Sequence, residues 1–143
     1  MPDIHASFAD YADYHRTKGN KWFHRFGIPM IMLGLIGLLA RPGATVGHIR
    51  VDLAMVLIAA STIYYLVLEW RLAIAMLVVS AGLYFLGVWL PLSVSIAILI
   101  VGIVFQYVGH AVYENRKPAF LHNAVHLLIG PLWILNDVIP VVR

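Results

Sequence analysis

Residues 51–90 read VDLAMVLIAASTIYYLVLEWRLAIAMLVVSAGLYFLGVWL. Two apolar runs, Val51 to Leu68 and Leu72 to Leu90, are parted only by Glu69-Trp70-Arg71. Each approaches the roughly 20 apolar residues that carry a helix across the hydrocarbon core of a bilayer. So short a polar break leaves the two helices antiparallel and adjacent, as a tight hairpin. The stretch therefore predicts a membrane helix bundle rather than a soluble core.

Working outward, the pattern repeats. Trp22 to Ala40 forms a run closed by Arg41-Pro42-Gly43, and Pro91 separates Leu90 from a fourth run, Leu92 to Val108. The strongest part of the first run, Gly27 to Ala40, makes roughly 21 Å of helix, so Trp22 to Phe26 must help it span. Pro29 is tolerable there in a first turn or as a kink. A fifth run, residues 119–142, is interrupted by Gly130-Pro131 and carries Asn136-Asp137; it either spans or enters and returns. Residues 1–21 are polar and aromatic, with Phe8, Tyr11, Tyr14 and His15 at helical spacing, which predicts a short amphipathic helix at the interface. Thr17 to Asn20 reads as a turn, with Asn20 able to cap the next helix. The expected fold is thus all-α: one membrane domain over residues 1–143, with four to five spans (about 22–40, 51–68, 72–90, 92–108 and 119–142) and an N-terminal interfacial helix. Gly34, Gly37, Gly82, Gly87 and Gly102 suit close helix packing.

Composition agrees. The chain is 62% hydrophobic with ten basic and seven acidic side chains, and its mean hydropathy is +0.85; so few charges cover a soluble surface poorly. The net charge of +3 sits mostly at the ends of apolar runs, as in a protein facing anionic lipid. No basic stripe is interleaved with stacking aromatics, which argues against nucleic acid. The first 25 residues carry Asp3, Asp10 and Asp13 and no apolar core, unlike a signal peptide. Without cysteine, disulfides, thiolate metal sites and cysteine nucleophiles are excluded. No nucleophile elbow, phosphate loop or dinucleotide fingerprint occurs, and Ser61, Ser80, Ser93 and Ser95 lie within the spans.

Basic residues set orientation. Arg16, Lys18, Lys21, Arg25, Arg71, Arg116 and Lys117 fall on one side, and Arg41, Arg50 and Arg143 on the other. The larger group predicts a cytoplasmic N-terminus, in a bacterial inner membrane or the endoplasmic reticulum. Alternation of direction brings His15, His24, His110, His122 and His126 to that same face, with His48 opposite. Gathered imidazoles without sulfur suit Fe(II), Zn(II), Mn(II) or Cu(II).

Three constellations carry this chemistry. His15, Asn20 and His24 form H-x4-N-x3-H, where the turn lets a histidine of the interfacial helix face one of the first span. Gln106, His110 and Glu114 make one polar stripe if the fourth helix continues, and His110 and Glu114 at i, i+4 suit joint ligation or a carboxylate orienting an imidazole. The alternative is a surface pair of Glu114 with Lys117. His122 and His126, also i, i+4, either chelate one divalent ion or are interfacial histidines.

The first motif followed by Gly27-Ile28-Pro29, and then Phe105-Gln106-Tyr107-Val108-Gly109-His110 with Glu114, Arg116, Pro118 and Ala119, resembles the family of the fungal 2-hydroxy fatty acid dioxygenase. These are small multi-pass membrane proteins of fatty acid α-oxidation. The resemblance spans nearly the whole chain. It implies an Fe(II)-dependent dioxygenase that shortens a 2-hydroxy fatty acid by one carbon, with dioxygen as co-substrate and membrane lipid as surroundings. It implies His15, His24 and His110 as iron ligands, Asn20 and Glu114 as catalytic-site residues, and Arg116 as a group to hold the substrate carboxylate. His122-Asn123 departs from the Asp-Asn of the family and favours His122 as a fourth ligand; His126 stands in place of glutamine. The competing classes are a non-enzymatic metal-binding membrane protein, a small transport or scaffold subunit, and a zinc hydrolase.

Overall fold

The computed structural model describes residues 3–118, 121 and 123–142. It contains helices α1 (Ile4–Asp13), α2 (Lys18–Leu39), α3 (Leu53–Leu68), α4 (Trp70–Trp89), α5 (Leu92–Val108) and α6 (Val125–Val138). A π-helical turn, Gly109–Glu114, prolongs α5. The hairpin read from residues 51–90 is present as α3 and α4, packed side by side. Glu69 alone joins them: its N–H bonds the Tyr65 carbonyl at 2.8 Å, and its carboxylate accepts from Arg71 N at 3.2 Å to start the next helix.

An all-α fold is corrected in one place. Residues 43–52 hold two antiparallel strands, β1 (Gly43–Val46) and β2 (Ile49–Asp52), with Val46 opposite Ile49. The chain turns at Gly47-His48, where Gly47 has φ +65°, a left-handed backbone that glycine adopts without steric cost. Val51 and Asp52 accordingly belong to a strand, and α3 begins at Leu53, capped by Asp52 Oδ1 accepting from Met55 N at 2.9 Å. The cap of α2 is also corrected. Thr17 Oγ accepts from Asn20 N at 3.3 Å, so Asn20 lies inside the first turn and its side chain is free for other work.

Helices α2 and α5 make the most extensive contact in the molecule. Glycine permits it: a Cβ on Gly27 would stand 3.1 Å from the Gly102 carbonyl oxygen, and one on Gly34 would stand 2.7 Å from that of Ser95. Gly82, expected to serve similarly, faces open space. A second core joins α1, α3, α4 and α6 through Tyr11, Tyr65, Leu72, Met76, Ile129 and Leu132. Outward faces stay apolar, with Trp89 86% exposed and Val78 68% exposed, a surface unsuited to water. By length and composition α2, α4 and the α5–π segment are each able to cross a membrane, whereas α3 and α6 are shorter apolar helices.

Candidate metal centre and its cavity

Three elements bring the histidines together. Just past α1, the ring of His15 stacks on Tyr11 with centroids 4.0 Å apart. His24 sits two turns into α2. His110 opens the π-helical turn, a local widening that often marks functional sites; Asn115, at φ 50° and ψ 35°, ends it. All three imidazoles are at most 2% exposed, and one ligating nitrogen of each lies within 4.8 Å of the others.

Backbone carbonyls fix two of the rings. His15 Nδ1 lies 2.6 Å from the Tyr11 oxygen, and His24 Nδ1 lies 2.9 Å from the Asn20 oxygen. A carbonyl only accepts, so each Nδ1 carries a hydrogen, and in the neutral rings each Nε2 presents a lone pair. Those two Nε2 atoms are 2.9 Å apart. Lone pairs facing each other at that distance repel unless a cation lies between them. Two ligands about 2.1 Å from an ion stand about 3.0 Å apart at right angles and about 3.4 Å apart at the tetrahedral angle. The two nitrogens are thus close enough to hold one ion between them. His110 Nδ1 is buried without a hydrogen-bond partner among the described residues, which leaves it free to ligate as well. Burial holds the His15 imidazole down to about 4, against a weaker upward pull from the Tyr11 carbonyl. It is thus neutral near pH 7, the form that binds metals.

Asn20, Glu114 and Thr17 surround the centre without joining it. Glu114 Oε1 accepts from Thr17 N at 2.8 Å, Thr17 Oγ at 3.0 Å and Asn20 Nδ2 at 3.3 Å. The carboxylate thereby ties the π turn to the start of α2 rather than pairing with Lys117 or orienting His110. Gly109 rests against Asn20, since a Cβ there would meet Asn20 Oδ1 at 2.5 Å. Arg116 is exposed and does not line the cavity described below; its N–H bonds the His110 carbonyl at 3.3 Å. His122 lies outside the described residues.

His126 is buried but stands apart from the three-imidazole group. Its Nε2 is 2.8 Å from Asp10 Oδ2. No spacing argument finds this pair, because the partners are 116 residues apart. Gln106, one turn before His110, is buried with an unpartnered Nε2. From these groups a cavity of about 330 Å³ runs between α2, α3, α4 and α6. It is lined by His15, His24, His110, His126 and Gln106 together with Ile36, Leu57, Ile58 and Ser80.

A helical bundle with membrane-length apolar helices, holding three buried imidazoles in the wall of an apolar cavity, defines a class: a helical protein with a candidate histidine metal centre. The family model described as "2-hydroxy-palmitic acid dioxygenase Mpo1-like" matches residues 1–140. The chain belongs to this Mpo1-like family. It is 26% identical over 140 residues to the 2-hydroxy-palmitic acid dioxygenase MPO1 of Saccharomyces cerevisiae, covering 94% of this chain and 79% of the yeast protein. No solved structure matches.

Proposed function

We propose that the protein is an Fe(II)-dependent dioxygenase that shortens long-chain 2-hydroxy fatty acids by one carbon. The observation that carries this reading is the continuity of one apolar cavity with three convergent imidazoles. From His24 to Ile36 the cavity follows α2 for twelve residues, or roughly 18 Å. An extended chain advances about 1.2 Å per bond, so roughly fifteen bonds fit beside that helix. The family and the yeast relative's name agree with such a substrate.

In this reading His15, His24 and His110 hold the ion. Iron bound there supplies the redox chemistry with dioxygen, for which imidazole ligands and open positions are suited. The protein's own contribution is placement. Tyr11 and Asn20 carbonyls orient two ligands, as partners beyond the ligands commonly do. Asn20 and Glu114 lock the α2 start to the π turn, so they act as positioning residues. The apolar walls take the acyl tail and keep water from the head. The stoichiometry balances with one dioxygen: the acid becomes the next shorter acid, and its carboxyl carbon leaves as carbon dioxide with one water. Arg116, exposed and outside the cavity, is not assigned the carboxylate.

We further place α2, α3, α4 and α5 across the bilayer with the N-terminus cytoplasmic, which sets the centre at the cytoplasmic face where an acid enters from the leaflet. The test is metal analysis with oxygen uptake. Purified protein should carry about one iron per chain and consume dioxygen with 2-hydroxypalmitic acid. His15→Ala, His24→Ala and His110→Ala should each lose iron and reduce uptake by at least about a hundredfold. Full activity in all three substitutions, or turnover of an ester without oxygen, would overturn the proposal.

A further inference from the structure

His126 opens α6 and has a built environment of its own. Its ring is 6% exposed, set edge-on to Tyr14 at 5.4 Å and tilted against Tyr11 at 5.5 Å. Tyr11 in turn stacks on His15, so one aromatic ring separates His126 from the three-imidazole group. The Asp10 carboxylate, 2.8 Å from Nε2, can only accept, which puts a hydrogen on Nε2; in the neutral ring Nδ1 then carries the lone pair. Nδ1 is buried and has no partner among the described residues, although the residue lines the cavity beside His15, His24 and His110. Buried acceptors are almost always satisfied. An unsatisfied one in a cavity wall awaits a donor from whatever fills the cavity.

We propose that His126 is the residue that recognises the 2-hydroxyl group of the acid, its Nδ1 accepting the hydroxyl hydrogen, with Asp10 as the residue that fixes the ring's tautomer. This inference rests on the substrate class proposed above. A 2-hydroxy acid is the lipid that brings a hydrogen-bond donor to the head of the chain; a plain fatty acid, ionised at its carboxyl, brings none. Binding the plain acid leaves Nδ1 buried and unpaired, and a site built to bond a hydroxyl discriminates strongly against the analogue that lacks it.

The test is equilibrium binding of 2-hydroxypalmitic and palmitic acid to the full-length, iron-loaded protein without oxygen, so that nothing turns over. Wild type should prefer the hydroxy acid by about tenfold or more. His126→Leu should bring the ratio close to one by weakening the hydroxy acid alone, with iron content unchanged. His126→Gln, which keeps an acceptor oxygen, should retain part of the preference, and Asp10→Leu should lose part of it. Loss of iron in His126→Leu would make the residue a ligand and overturn the inference. So would a preference that survives His126→Leu. Wild type that binds both acids equally would overturn the inference while leaving the dioxygenase reading standing; wild type that binds neither would remove both.

Discussion

The two ends of the bundle treat polar groups differently. At the end that carries the β1–β2 hairpin, Asp52 Oδ2 accepts from Tyr84 OH at 2.6 Å, Arg50 donates to the Arg41 carbonyl at 2.8 Å, and Arg41 donates to the Leu90 carbonyl. At the histidine end, Asn20 Oδ1, Gln106 Nε2, His110 Nδ1 and His126 Nδ1 are buried with no partner among the described residues; the one further such atom there is Ser95 Oγ, in the first turn of α5 at the opposite end. Burying polar atoms unpaired costs about 1–3 kcal/mol each. Ser95 apart, the β1–β2 end has paired its polar groups and serves stability. The other holds hydrogen-bonding and ligating capacity in reserve, and an ion and a lipid head group would use it.

The largest expected break in this contrast is Gly109→Ala. The new methyl would stand 2.5 Å from Asn20 Oδ1 and 3.0 Å from Phe23 Cβ, so Asn20 must move. Its carbonyl holds His24 and its amide holds Glu114, so displacing it disturbs both. Iron affinity should fall about 10–100-fold, as when an outer partner of a ligand is lost. Gly82→Ala is the control: nothing lies within 4 Å, and it should keep full iron affinity with thermal stability equal or raised, since alanine favours helix by about 1 kcal/mol. Equal iron titrations for the two variants would mean that the packing around Asn20 does not position the centre.

How much of this was legible from residues alone varies with the range of the interaction. The α3–α4 hairpin was readable because periodicity and one polar break are local facts. Convergence of His15, His24 and His110 was readable because helices alternate direction, although neither the carbonyl contacts nor the facing Nε2 atoms were. The strands at 43–52 are masked by the long apolar runs around them; Gly47-His48 between Val46 and Ile49 is the two-residue loop that signals them. Thr17 and Asn20 are both good caps by type, and the choice is made by Glu114, 97 residues away from Thr17. The π turn and the His126–Asp10 pair depend on tertiary contacts that no spacing encodes.

A smaller effect should appear along the cavity between the two ends. Leu57, in the second turn of α3 after β2, lines it, and Leu57→Trp should fill part of the tail channel. The expected result is a shift in preference toward shorter 2-hydroxy acids: uptake with the C16 acid should drop about tenfold relative to the C12 acid. Iron content should not change. An unaltered chain-length profile would mean that the tail leaves the protein before reaching Leu57 and lies in lipid instead.

The smallest effect should come from the satisfied end. Tyr84→Phe deletes the hydroxyl that bonds Asp52, while Asp52 Oδ1 still caps α3 through Met55 N. Removing one such bond costs about 1 kcal/mol, because part of the carboxylate remains paired and water reaches the hairpin. The loss should show as a slightly lower melting temperature in detergent, equal with and without iron, because no group within reach of the centre has moved. A melting loss that grows when iron is bound, or a weaker iron titration, would couple the hairpin to the histidines and erase the division between a structural end and a working end.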